Sequence, residues 1–163
     1  KLYSSQYPGV SRIDVLDIDP DLPEVTVIAD LENMPQVPTD TYDCIILTAV
    51  LYYIRDVDAA LRELRRVLRS GGVLLSAHSG IPGHLTQLSG FESEFGYLST
   101  RGTTTLFNEA FGADHVTVQT WGNVLACLAF LRGVAAEEVG ERRLLTADPY
   151  FPQTITVRAI KSA

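Results

Sequence analysis

The chain has 163 residues, 46% of them hydrophobic, and a formal net charge of −7. That supplies one sizeable core, with no apolar stretch long enough to cross a bilayer and no basic, apolar leader. No Lys/Arg run is interleaved with aromatic residues, which argues against nucleic acid as a partner, because binding its backbone depends on neutralising phosphates. A single cytoplasmic domain acting on a small molecule, away from membranes, is the expectation.

Lys1 is not an initiator methionine, Met34 is the only methionine, and Leu2 to Gly9 reads as a helix remnant or loop. The chain is therefore expected to be the later part of a longer domain. Ile13 to Ile18 reads as a strand closed by Asp19-Pro20, and Val25 to Ala29 as a second. Leu31 to Thr41, holding Pro35 and Pro38, reads as a loop. Cys44 to Leu47 is a short apolar run, followed by an amphipathic helix from Val57 to Leu68 that Ser70-Gly71-Gly72 should stop, and by an apolar strand from Val73 to Ala77. Strand, helix, strand with both strands apolar on every face describes a βαβ unit in a sheet covered on both sides. In such sheets ligands bind beyond the carboxyl ends of the strands, which directs attention to Thr48-Ala49 and His78-Ser79. Arg62, Arg65, Arg66 and Arg69 fall on the helix with Glu63 among them and read as a solvated face.

Gly80 to Thr100, rich in glycine, reads as an irregular insertion that could cover a site as a lid. Thr103 to Phe111 is a short helix closed by Gly112, His115 to Thr120 alternates as a strand, Val124 to Leu131 is an apolar helix, and Thr154 to Ile160 is a last strand. The final two strands are expected to form a β–crossover–β pair. Cys44 and Cys127 lack metal-ligand spacing and read as reduced, buried thiols.

Two acids stand at the ends of consecutive strands. Asp17 could accept hydrogen bonds from the vicinal hydroxyls of a ribose, or simply close an Asx-turn. Asp30, followed by Leu31, has the same ambiguity, with an adenine amino group as the ligand. His78 is the best-placed candidate base and His84, in the insertion, the second; each could equally be structural, as His115 is expected to be. Tyr52, Tyr53 and Tyr97 could line an acceptor pocket or the core.

The segments DVLDIDP, IADLENMP and YDCIILTAVLYYIRDVDAALRELRRVLRSGGVLLSAHS together resemble the middle and end of a class I S-adenosylmethionine-dependent methyltransferase of the small-molecule, type 11-like group. RRVLRSGGVLL is the most specific piece. The likeness covers Ile13 to Ser79 and continues more weakly through LSTRGTTTLFNEAFG and VTVQTWGN. It implies an α/β, Rossmann-like three-layer sandwich with a mostly parallel sheet, and S-adenosyl-L-methionine as cofactor. By resemblance Asp17 would hold the ribose hydroxyls with Ile18 against the adenine, Asp30 and Leu31 would contact the adenine edge, and Thr48 and Ala49 would line the methionine part. Tyr52 and Tyr53 stand where that group often shows two histidines. The family's first strand and glycine-rich turn have no match, so the strands at Ile13 and Cys44 should face each other across an empty central position, through which the chain could associate into a homo-oligomer. Methyl transfer to a small molecule, a sugar or secondary metabolite, is the leading expectation. A degenerate methyltransferase fold kept for binding, and a metal-dependent glycosyltransferase using Asp17-Ile18-Asp19, are its rivals. No metal ligand set is expected in the main reading.

Overall fold

The computed structural model describes residues 9–81 and 97–163. The strands are β1 (Leu16–Asp17), β2 (Val27–Ile28), β3 (Tyr42–Thr48), β4 (Leu68–Ser79), β5 (Val116–Trp121) and β6 (Thr154–Ile160). The helices are α1 (Val57–Val67), α2 (Thr100–Phe111), α3 (Val124–Leu131), α4 (Ala136–Val139) and α5 (Glu141–Leu144), with single 3-10 turns at Leu51–Tyr53 and Ala113–His115.

Two sheets result. β1 and β2 form a two-stranded parallel ribbon, and the other four strands run in the order β3-β4-β6-β5. β3 and β4 are parallel, with Cys44 opposite Val73 and Thr48 opposite Ala77. Within the described residues no strand joins β1 to β3, so the central interruption expected between the Ile13 and Cys44 segments is present. Side chains bridge it instead: Leu16 and Val27 pack with Tyr42 and Ile45 around Met34, Val37 and Val67, and the Tyr42 hydroxyl donates to Asp14 Oδ2 at 3.0 Å.

Helix α1 begins where Asp56 accepts the Ala59 amide, satisfying one of the free first-turn donors. It buries Ala60, Leu61, Leu64 and Val67, the spacing of one helical stripe. The expected stop at Ser70-Gly71-Gly72 is instead a bulge inside β4. Leu68 is already extended and pairs with Tyr42, and the register then jumps so that Cys44 meets Val73. Gly71 sits at φ 77°, and a Cβ on Gly72 would lie 2.8 Å from the Arg69 carbonyl oxygen. These glycines let the strand absorb the extra residues without leaving the sheet.

α1 and α2 lie together on one face of the larger sheet. Leu61, Leu64, Phe107 and Phe111 pack there over Leu47, Leu74, Val157 and Ala159. On the opposite face Cys44 is exposed and Ile46 and Leu75 are 44% and 40% exposed. The described residues thus supply one helical layer, and the second layer that strands apolar on both faces call for comes from none of them.

Two further expectations are corrected. β5 and β6 are antiparallel neighbours, Val116 opposite Ala159 and Trp121 opposite Thr154, and not a parallel crossover pair. β6 is also antiparallel to β4. The helices between them therefore arc over the sheet's carboxyl edge. Ile13 to Ile18 and Val25 to Ala29 shrink to two paired residues each, because each ribbon strand has only one ladder partner.

Candidate functional site

Strand ends carrying the sequence candidates gather at one edge. The Asp17 carboxylate closes an Asx-turn, its Oδ1 accepting the Asp19 amide at 3.0 Å. Asp30 does the same for Glu32 at 2.9 Å. In both, Oδ2 takes no part in the turn, so an oriented oxygen remains for a ligand. The structural and functional readings of these acids are therefore compatible. Ile18 beside Asp17 is 68% exposed, a large apolar side chain at the mouth of the ribbon, while Leu31 packs against both hydrophobic clusters.

β3 ends at Thr48, and Ala49 turns into the left-handed region at φ 58° while its amide donates to the Ala77 carbonyl at 2.8 Å. A non-glycine residue there stores strain of roughly 1–2 kcal/mol, and such outliers concentrate at functional sites. Leu51 is buried beneath this turn, and the rings of Tyr52 and Tyr53 meet edge to face at 4.6 Å. Glu32 reaches across from the β2 loop, its Oε1 accepting the amides of Arg55 and Asp56 at 2.8 and 3.2 Å. This tie fixes the end of β2 beside the start of α1.

His78 faces inward. It is 4% exposed, and its Nε2 lies 3.0 Å from Oγ1 of Thr103, itself buried on α2. Burial pushes its imidazole below the ordinary value, favouring the neutral ring. This placement makes His78 a pin between β4 and α2. His84 lies outside the described residues, as does most of the expected lid. Tyr97, at the near end of that stretch, donates its hydroxyl to the Gly80 carbonyl.

Sequence reasoning missed a polar clamp on α1. Arg66 donates to Glu63 through Nε and Nη2, both at 2.8 Å, and reaches the carbonyls of Met34 at 2.7 Å and Val37 at 2.8 Å. Glu63 in turn accepts the Met34 amide at 2.8 Å. The Arg66 guanidinium holds the Glu63 carboxyl below its usual range, against the opposing effect of burial. Arg69 likewise forks onto Asp43 at 2.8 and 2.9 Å. Arg65 reaches the Ser162 hydroxyl at 3.5 Å, so three of the four arginines read as a solvated face are engaged. The available signal was the i, i+3 spacing of Glu63 and Arg66 flanking the buried stripe.

From Gly80 the edge continues into the β5–β6 connection. The Gly80 amide donates to Gln153 at 2.8 Å, and a Cβ on Gly80 would come within 2.3 Å of the Pro152 carbonyl oxygen. Asn123, Val124, Leu125, Asp148 and Tyr150 border an open cavity of about 530 Å³ there. Val124, Leu128, Leu131 and Tyr150 are exposed. Among the described residues no cluster of three or more His, Cys, Asp or Glu gathers to hold a metal ion, and no helix is long and apolar enough to cross a membrane.

This arrangement of strands and helices is the class I methyltransferase fold. A chain of a complex containing the Haloferax volcanii Trm112 methyltransferase activator superposes with a TM-score of 0.60 at 18% identity, covering 91% of this chain and 71% of that one. An S-adenosylmethionine-dependent methyltransferase from Archaeoglobus fulgidus gives 0.58 at 10% identity, covering 90% and 74%. At the level of sequence, residues 10–76 match the methyltransferase domain family. The mitochondrial arginine-hydroxylase NDUFAF5 of Rattus norvegicus is 33% identical over 63 residues, 39% of this chain. The chain spans 18% of that relative's length.

Proposed function

We propose that this protein binds S-adenosyl-L-methionine and transfers its methyl group to a small-molecule acceptor. The observation that carries the reading is that Asp17-Ile18, Asp30-Leu31 and Thr48-Ala49 stand at the carboxyl ends of β1, β2 and β3 in a methyltransferase fold. In it Asp17 Oδ2 holds the ribose hydroxyls, Ile18 covers one face of the adenine, and Asp30 accepts from the adenine amino group. Thr48 and Ala49 line the methionine portion. The bound cofactor supplies an electrophilic methyl on a sulfonium, whose in-line displacement depends chiefly on proximity and orientation.

The chain's part is to hold and to exclude water. The left-handed turn at Ala49 brings backbone close to the cofactor, and the β5–β6 connection walls the acceptor side. Its exposed Val124, Leu125 and Tyr150 suit an acceptor with an apolar skeleton, and the net charge of −7 disfavours a polyanionic one. His78, buried against Thr103, has no assigned proton to move.

Calorimetry on the full-length protein tests this. S-adenosylhomocysteine should bind in the micromolar range, and Asp17→Ala should weaken it by more than about tenfold, the worth of a charged hydrogen-bonded pair. Unchanged affinity would remove Asp17 from the ribose role. Methyl transfer should persist in chelator; activity lost with chelator and restored by magnesium or manganese would favour a glycosyltransferase using Asp17-Ile18-Asp19. A fold retained only for binding a partner is favoured by the exposed Ile18, Ile28 and Ile46 side chains, and predicts no uptake of S-adenosylhomocysteine at all.

A further inference from the structure

We propose that Glu63 and Arg66 of α1 are positioning residues for adenine recognition: they hold the loop after β2 in the shape that aims Asp30, and neither touches the cofactor. The inference rests on the assignment of Asp30 to the adenine amino group made above.

Apart from Gln36, whose Nε2 donates to the Ile28 carbonyl at 2.6 Å, few contacts outside α1 define the loop. β2 pairs over only two residues, and residues 30–37 form no ladder beyond an isolated bridge between Asp30 and Asn33. Local turns account for the Asn33 and Val37 amides, which donate to the Asp30 and Met34 carbonyls at 3.0 Å each. Position relative to the rest of the fold comes from α1. Met34 is gripped on both sides of its backbone, its amide by Glu63 and its carbonyl by Arg66, while a second arm of Arg66 takes Val37. The Met34 and Val37 side chains are 1% and 4% exposed, so the clamp closes over a packed underside. At the other end of the helix, Glu32 caps the Arg55 and Asp56 amides. The loop is therefore tied to α1 at two points bracketing the residues that follow Asp30.

The geometry needs arginine. One planar guanidinium reaches two carbonyls and a carboxylate together through directions fixed by its fork. A lysine ammonium in its place is a single point charge on a flexible stem and cannot serve all three. Glu63 is equally specific, because it must accept from both Arg66 and the Met34 amide; glutamine would bring a competing donor.

The test separates positioning from general stability by asking what the site prefers. S-inosylhomocysteine carries a carbonyl where S-adenosylhomocysteine carries the 6-amino group, so an aimed Asp30 rejects it. In the full-length wild-type protein the adenine compound should bind at least about tenfold more tightly. Arg66→Met and Glu63→Gln should each reduce that ratio several-fold, and Arg66→Lys should fail to restore it although it keeps the charge. Circular dichroism establishes that each variant is folded, and Arg66→Lys serves should Arg66→Met not fold. If Asp30→Ala erases the preference while folded Arg66 variants keep it, the positioning role is wrong and the site reading stands. A preference that survives Asp30→Ala, or is absent from the wild type, overturns the assignment of Asp30 and this proposal with it.

Discussion

In β4 every residue from Val73 to Ser79 pairs with β6, and most of them pair with β3 on the other side, whereas β1 and β2 share two register positions. The larger sheet is held by its ladders and by a core in which Leu61, Leu74, Phe107 and Ile155 are fully buried. The ribbon and its loops rest on a smaller cluster around Met34 and Val37 and are oriented by carboxylates and one guanidinium: Asx-turns at Asp17 and Asp30, the Glu32 tie, and the Glu63–Arg66 clamp. The four-stranded half is thus placed by packing, and the proposed nucleoside subsite chiefly by directional polar contacts. Packing tolerates adjustment; a hydrogen-bonded loop is placed by bonds of fixed direction, and its aim fails with the loss of one of them.

The largest test of this contrast is Phe107→Ala. Removing a fully buried ring on α2 should cost about 3–5 kcal/mol, read as a lowered denaturant midpoint, with the Asp30 loop losing no direct contact. A variant as stable as wild type would mean the four-stranded half is not the stability centre. Ala49→Val ranks second. A β-branched residue at φ 58° is a true outlier and should cost about 1–3 kcal/mol, whereas Ala49→Gly should be neutral or stabilising; thermal melts of both decide whether the turn is strained.

The smallest effect is a slope. The folded-state imidazole of His78 is lowered by burial from 6.5, so the unfolded chain binds its proton first. Stability should therefore be complete above the ordinary imidazole range and decline as pH falls below 6.5 toward the folded-state value, by at most about 1.4 kcal/mol per pH unit. His78→Gln should flatten that stretch of the curve. Glu63 acts lower: its folded-state carboxyl is depressed, so its contribution is present above the ordinary value of 4.5 and is lost as pH falls through the depressed one. Melts between pH 7.5 and 5 should consequently loosen the packed half before the clamp.

Sequence pattern located the elements best where side chains and hydrophobic period agree. Val124–Leu131 and Thr154–Ile160 occur with the expected bounds, and α1 differs by one residue. Strand direction was illegible between β5 and β6, because alternation in HVTVQT and TITVRAI is the same read either way; only where the connecting helices pack decides it. The glycine pair after α1 was legible as an interruption but not as a bulge, since its role depends on the register of β3 alongside. At the candidate site, acids at strand ends could be marked from composition of the turns. Arg66 could not, because a charge beside an apolar stripe looks alike whether it meets water or a neighbouring loop. His78 showed the converse: its strand-end position was correct, and the alternation of β4, with Leu74, Ser76 and His78 all buried, turned it inward.

The β5–β6 connection leaves the sheet at Trp121 and returns at Thr154, which stand opposite each other in the ladder, with the Gln153 amide donating to the Trp121 carbonyl at 2.8 Å to close the base. Feet planted side by side make the span between them a replaceable part. Its length enters folding only through loop-closure entropy, about 0.6 kcal/mol for each doubling, and no register elsewhere shifts when it grows or shrinks. Over evolutionary time such a fold can exchange the wall facing its acceptor wholesale, while the nucleoside subsite, knitted into α1, is left undisturbed.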